Sequence, residues 1–280
     1  MKRLALLLLL VFTISLLPVA SATPTNTTKQ PLSFSEDWLK GTVIVVYNNQ
    51  YGTGWWMNPS YVATAAHVVG WNPRATVTII RGNVESSGHV VALDRNGDVC
   101  IIRVDHPERF GDKHVFPLAH YMPPPTSTIY VIGYPSELLQ VLNNDLHALS
   151  EHPRVLESHL TWTASGLIEL GGITDAGNSG GPVVDSAGNV IGLVSFALRG
   201  PAGTLYFATS VRNLKELAQQ HGISYEEGSA GIIASIQDNP AAVAAATAAG
   251  VNIVMDLAIL GLGIAIGSGA LAAHRRRSRR

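Results

Sequence analysis

The stretch Thr174-Asp175-Ala176-Gly177-Asn178-Ser179-Gly180-Gly181-Pro182-Val183-Val184-Asp185 constrains the fold more than any other part of the chain. A serine with a glycine two residues before it, and two glycines and a proline directly after it, suits neither a helix nor the interior of a strand. It suits a tight loop that exposes one hydroxyl and turns backbone N–H groups toward a common point. Acyl transfer needs that combination of a nucleophile and a hole for the oxyanion its attack creates. On its own the stretch also fits a plain Gly/Ser-rich turn between two strands, so its meaning depends on what surrounds it.

The chain has 280 residues, enough for one two-lobed domain or two small ones. It is 46% apolar and only 14% charged, and two terminal segments account for the apolar excess. Met1 to Ala22 begins with Lys2 and Arg3, continues as an apolar run from Leu4 to Leu17, and ends on Ala20-Ser21-Ala22. That is the pattern of a secretory signal peptide. An uncleaved anchor helix is the alternative, but the apolar run is shorter than a comfortable span. At the other end, Val251 to Ala273 is 23 residues with a single charge, Asp256. As a helix it reaches about 34 Å, sufficient to cross a bilayer core. The segment His274-Arg275-Arg276-Arg277-Ser278-Arg279-Arg280 follows at once, and such a basic cluster belongs on the cytoplasmic side. The expectation is a single-pass membrane protein with the middle of its chain outside the cell and its C-terminus in the cytoplasm.

The formal charge of −1 hides an asymmetry. Two of the 19 Lys and Arg residues lie in the N-terminal segment and five in the tail, whereas of 20 Asp and Glu residues those terminal segments and the apolar span hold only Asp256, in the span. The exported part therefore carries about −7, which argues against a nucleic-acid partner. Cys100 is the only cysteine, so no intramolecular disulfide can form, and its apolar neighbours Val99, Ile101 and Ile102 make it a core residue.

Between the terminal segments, a polar spacer over 23–35 leads into short β-branched runs broken by Gly, Pro and Asn. Thr42–Val46, Tyr61–Thr64, Thr76–Ile80, His89–Leu93 and Val99–Val104 read as strands at fairly regular spacing, the mark of an all-β barrel or sandwich. Phe116 to Ser127, with Pro117 and Pro123-Pro124-Pro125, reads as a linker between two lobes. Strand-like runs resume at Ile129–Gly133, Leu160–Thr163, Gly166–Leu170, Pro182–Val184, Val190–Phe196 and Leu205–Thr209. Ser136 to Ser158 between them is a loop with some helix. Val211, Leu214, Leu217 and Ala218 are spaced as one face of a short amphipathic helix over Ser210 to His221. The expected organisation is a signal peptide over 1–22, a disordered spacer over 23–35 and a folded domain over 36–221 with lobes about 36–115 and 128–221. A stalk over 222–250, a membrane helix over 251–273 and a tail over 274–280 complete it.

A serine nucleophile needs a base, and the base needs an orienting partner. Thr64-Ala65-Ala66-His67 places a histidine just after a strand, among small residues that leave its ring accessible. Asp98 stands between the turn signal Asn96-Gly97 and the apolar run from Val99. Alone, His67 is an ordinary surface or core histidine and Asp98 an ordinary strand-start carboxylate. With Ser179 they come in the order His, Asp, Ser, the first two in one lobe and the third in the other. These motifs resemble the trypsin-like serine proteases, particularly the HtrA type. Gly52-Thr53-Gly54, Tyr130-Val131-Ile132-Gly133-Tyr134-Pro135, Gly188-Asn189-Val190-Ile191-Gly192 and Tyr206-Phe207-Ala208-Thr209 add to the likeness, which covers about residues 36 to 221.

The resemblance implies two six-stranded antiparallel β-barrels packed face to face, with a chymotrypsin-like site in the cleft between them. It implies a serine endopeptidase acting on protein or peptide substrates, of misfolded or exported kind, with no cofactor and no metal. Ser179 would attack the peptide carbonyl, His67 would take and return its proton, and Asp98 would hold the imidazole. The N–H groups of Gly177 and Ser179 would form the oxyanion hole, and Ser195 and Phe196 would belong to the strand that pairs with substrate backbone. By alignment Ile173 takes the place of the pocket-floor aspartate of trypsin, with Ala197 and Leu205 as walls. An apolar lining cannot compensate a buried Lys or Arg, so a small or medium apolar residue is expected at the cleaved bond.

Three departures stand out. Asn178 replaces the aspartate that pairs with a freed N-terminus in digestive enzymes, so activation by N-terminal processing is not expected. Thr174-Asp175-Ala176 runs straight into Gly177, where HtrA proteins carry a longer segment. A stalk and membrane span follow the domain, where HtrA proteins commonly have a PDZ domain. The rival readings are a protease fold with a silent triad serving as a membrane scaffold, an esterase on the same fold, and a metal site from His147, His152 and His159, whose spacing is unspecific. The oligomeric state is left open.

Overall fold

Val, Ile and Thr favour extended backbone, and their runs in this chain are spaced so that each can pair with a neighbour. The computed structural model describes residues 34–172 and 174–228. Within them the strands form two closed barrels. The first contains β1 (Thr42–Tyr47), β2 (Gln50–Asn58), β3 (Tyr61–Thr64), β4 (Thr76–Arg81), β5 (Val84–Asp94) and β6 (Val99–Val104), in the order β1-β2-β3-β6-β5-β4. The second contains β7 (Thr128–Gly133), β8 (Arg154–Ala164), β9 (Leu167–Leu170), β10 (Pro182–Asp185), β11 (Val190–Gly200) and β12 (Gly203–Ser210), in the order β10-β11-β12-β9-β8-β7. All pairings among these strands are antiparallel. The architecture is the all-β, two-barrel fold that the resemblance implies.

Pattern alone misses β2. Its glycines at 52 and 54 dilute the β-branched signal, yet it pairs with β1 from Gln50 to Trp55 and with β3 from Trp55 to Asn58, and is buried from Gly52 to Asn58. The turn before it explains the tight register: Asn48 and Asn49 both have positive φ, 48° and 61°, and join Tyr47 to Gln50 as a two-residue hairpin. β8 begins at Arg154 rather than Leu160, its polar first residues being carried by antiparallel pairing with β7, while Val155 and Leu156 pack partly buried against the core.

Apolar residues from both faces of the sheets fill the interior. Trp55, Trp56, Val43, Ile79 and Ile101 are fully buried in the first barrel, as are Ile129, Leu160, Ile168 and Ile191 in the second. Each such side chain is worth about 1.5–3 kcal/mol of burial. Helix α1 (Ser136–Val141) and helix α2 (Leu146–Ser150) interrupt the β7–β8 connection, and their leucines 138, 139, 142, 146 and 149 cluster with Ile44 and Ile80 of the first barrel. Helix α3 (Val211–Gln220) starts from Ser210, whose side chain caps Arg212 N–H at 3.3 Å. Its buried residues Val211, Leu214, Leu217 and Ala218 join the core of the first barrel. The chain thus crosses from one barrel to the other twice after leaving it. The linker is itself built in: Phe116 is fully buried, and Leu118 bridges to both Val190 and Glu227.

The segments read as signal peptide, membrane helix and basic tail lie outside the described residues, as do most of the spacer and stalk and Ile173. Among the described residues no helix is long and apolar enough to cross a membrane.

Candidate active site

His67 stands on a single 3-10 turn, Ala66–Val69, that follows β3. Ala65 and Ala66 are fully buried and hold that turn close to the barrel, while Gly70 at φ 62° ends it by donating its N–H to His67 O at 3.0 Å. Asp98 ends the β5–β6 turn, where the Asp94 carboxylate accepts from Asn96 N–H and Gly97 N–H at 2.9 and 3.0 Å. These two turns bring His67 and Asp98 together. Asp98 Oδ1 accepts from His67 backbone N–H at 3.0 Å, and Oδ2 meets His67 Nδ1 at 2.9 Å. An ionised carboxylate can only accept, so Nδ1 carries the proton and Nε2 is left with the basic lone pair. Ser195 Oγ donates to the same Oδ2. Ser195 was expected only in a substrate-pairing strand. A bulge in the β11–β12 register between Val194 and Phe196 frees it from that ladder, and its side chain turns to Asp98.

Ser179 lies in the loop between β9 and β10. Gly180 N–H donates to Val194 O at 2.7 Å and Gly181 N–H to Asn178 O at 2.8 Å, which closes the loop onto its own barrel. Ser179 O accepts from Thr53 N–H of β2 at 2.8 Å, which ties the loop to the other barrel. Gly52 lies at that junction: a Cβ there would come within 2.6 Å of Val68, next to His67, and 2.9 Å of Ser179 O. Val68 of the histidine turn and the carbonyl of Ser179 therefore both close in on position 52, which has room for them because it carries no side chain.

Gly177 has φ 92° and sits with its Cα against Tyr134 O, 2.2 Å from where a Cβ would be. Only glycine fits. Ser136 N–H donates to Ala176 O at 2.7 Å. In a trans peptide the carbonyl and N–H point opposite ways, so this bond turns Gly177 N–H away from Ser136. Among the described residues neither Gly177 N–H nor Ser179 N–H donates to a protein acceptor. The short Thr-Asp-Ala-Gly junction thus still leaves two donors unspent. Asn178 is buried against Gly133, and neither atom of its side-chain amide has a partner among the described residues. Burial, with Glu137 nearby, raises the carboxyl of Asp175 above its ordinary value and pushes Tyr51 up to about 12.

A family model described as a trypsin-like peptidase domain matches residues 52–193, which hold His67, Asp98 and Ser179. The chain belongs to that trypsin-like peptidase family. Its fold is similar to that of the Rv3671c protease from M. tuberculosis in its active form, with a TM-score of 0.53 and 20% identity over 68% of this chain and 84% of that one. The inactive form of the Rv3671c protease gives 0.52 and 22% identity, covering 66% and 90%. The serine endoprotease from Yersinia pestis gives 0.52 and 18%, covering 68% and 67%. At such identities the likeness is one of fold. No curated protein matches the chain.

In this trypsin-like peptidase a cavity of about 430 Å³ opens beside the His67–Asp98 pair. Trp71, Arg95, Phe196 and Asn213 are among the residues that line it. Phe196, 39% exposed, stacks on Phe207 at 5.0 Å, which fixes its ring at the rim. Ala197 pairs with Tyr206 and Leu205 with Leu198, so Ala197 and Leu205 lie on opposite faces of the β11–β12 ribbon, both exposed. His147 is spent elsewhere, with Nδ1 2.8 Å from Gly82 O. Among the described residues no group of three His, Cys, Asp or Glu is placed to hold a metal. Burial pushes the Cys100 thiol far up, so it is an inert core group.

Proposed function

We propose that this chain is a serine endopeptidase in which Ser179, His67 and Asp98 act as nucleophile, base and orienting carboxylate. The observation that supports the reading is the His67–Asp98 bond, which leaves Nε2 basic, with Val68 of the histidine turn and Ser179 O both drawn to the side-chain-free Gly52, 2.6 and 2.9 Å from where a Cβ would stand. As Ser179 Oγ attacks a peptide carbonyl carbon, its proton passes to His67 Nε2 and the carbonyl oxygen becomes an oxyanion. Gly177 and Ser179 N–H receive that charge, each such donor being worth about 2.7–4 kcal/mol of barrier. Collapse expels the amine, which takes the proton from His67 and leaves an acyl-enzyme. Water repeats the sequence and restores Ser179. Asp98 is fixed in place by three donors, the backbone N–H and Nδ1 of His67 and the hydroxyl of Ser195.

Ala197 and Leu205 do not form the facing walls that the resemblance implies, so a preference for small or medium apolar residues rests on the sequence position of Ile173 alone. The signal-like N-terminus and the apolar span over 251–273 support an enzyme of HtrA type anchored in a membrane, its catalytic domain outside the cytoplasm and its substrates misfolded or exported proteins. Digestion of unfolded casein by the full chain and by Ser179→Ala, with product termini sequenced, tests the reading. Cleavage by the full chain alone, at bonds following apolar residues, is expected. Equal cleavage by both proteins would remove Ser179 from the mechanism, and cuts mainly after Lys or Arg would remove the specificity.

A further inference from the structure

We propose that the Thr53 hydroxyl, supplied by the first barrel, is a positioning group for the oxyanion hole carried by the second. Thr53 is fully buried in the middle of β2. Its Oγ1 donates to Gly177 O at 2.7 Å and accepts from Tyr134 N–H at 3.1 Å. Its own N–H donates to Ser179 O at 2.8 Å, and its carbonyl accepts from Thr64 Oγ1 at 2.8 Å. One residue of the first barrel therefore holds the serine loop at both positions whose N–H groups the proposed mechanism gives to the oxyanion.

Gly177 is where such a hold matters. A glycine at φ 92° has no side chain to limit rotation, so the direction of its N–H depends on what restrains the peptides on either side. The preceding peptide is held through Ala176 O by Ser136 N–H at 2.7 Å. The following peptide is held through Asn178 N–H on Asp175 O at 3.1 Å and through Gly177 O on Thr53. A hydroxyl has one proton and spare lone pairs; Tyr134 N–H occupies a lone pair, which leaves the proton for Gly177 O. Valine has the same shape and no hydroxyl. It would leave Tyr134 N–H buried without an acceptor, take the donor from Gly177 O, and release the plane that sets the Gly177 donor.

The inference rests on the reading of Ser179 as nucleophile, and the experiment separates the two. Thr53→Val, Thr53→Ser and the parent enzyme are compared for kcat and KM on one peptide substrate, and for affinity toward a peptide aldehyde and the matching product peptide. The aldehyde forms a tetrahedral adduct with an oxyanion; the product peptide does not. Thr53→Val is expected to lower kcat roughly 10- to 100-fold and to weaken aldehyde binding by a similar factor. KM and product-peptide affinity should stay within about twofold, since ground-state binding is untouched. Thr53→Ser restores the hydroxyl and should stay within about threefold of the parent in kcat. A folded Thr53→Val with parental kcat and aldehyde affinity overturns the inference, as does Thr53→Ser falling as far as Thr53→Val. Should Thr53→Val not fold, Thr53→Ser against Thr53→Ala carries the comparison: a kcat gap of about tenfold supports the inference and equal values overturn it. A parent enzyme that cleaves nothing would instead remove the triad reading.

Discussion

Asp98 receives three donors at once, the backbone N–H and Nδ1–H of His67 and the hydroxyl of Ser195. Its side chain is 14% exposed, against 31% for His67, so the carboxylate sits behind the ring and the ring faces the crevice. This arrangement selects the tautomer with Nε2 free, and in the proposed mechanism it would also stabilise the imidazolium that forms when Ser179 gives up its proton. Asp98→Asn removes both while keeping the shape. An amide at that place offers an N–H to Nδ1, which forces the proton onto Nε2 and leaves no base for the serine. Steady-state kinetics should show kcat lower by about 10,000-fold with KM little changed. A loss under tenfold would mean that His67 does not act as the base.

At the scale of elements, the linking stretch from the end of β6 to the start of β7, His114 included, is a packed part of the structure. His114 lies edge-on to Phe116, ring centroids 4.7 Å apart, with Nε2 buried and without a partner among the described residues. Burial lowers the pKa of His114 below its ordinary 6.5, with Asp37 and Glu226 opposing. A histidine kept neutral by the fold takes up its proton more readily once unfolded. Its contribution to stability is therefore whole above the ordinary value and is lost as pH falls from there toward the lowered one. Thermal melting should move down as pH drops from 7 through 6, and His114→Gln should flatten that slope. An unchanged slope in the variant would show that the linker histidine is not part of the acid sensitivity.

Much of the element order can be read from periodicity, because the strands alternate with Gly, Pro and Asn turns and the α3 pattern is strongly amphipathic. β2 is the exception. It carries glycines where close approach of the serine loop and the histidine turn demands them, and those same glycines erase the local strand signal. At the site, His67, Asp98 and Ser179 are conspicuous through their flanking small residues. The roles of Ser195, Thr53 and Ser136 are not, because each depends on contacts that only barrel closure and docking create. Thr53 and Gly177 are 124 residues apart. A threonine between two glycines is the sole local hint, and Ser136 acts through its backbone, which no residue type announces.

For the whole molecule, neither barrel holds a complete site. In the proposed mechanism the first supplies the base, the carboxylate and the Thr53 bridge, and the second supplies the serine loop and Ser195. The β7–β8 helices and α3 clamp the two together through the leucine cluster on Ile44 and Ile80 and the buried face of α3. Catalytic competence should accordingly depend on docking of the barrels as much as on the identity of any one side chain. Covalent labelling with a fluorophosphonate tests the central claim most directly, since only a serine with a working base and oxyanion hole reacts at a useful rate. One phosphonyl group located by peptide mapping at Ser179, absent from His67→Ala and from Ser179→Ala, is the predicted result. A folded enzyme that takes up no label, or takes it up equally without His67, would contradict it.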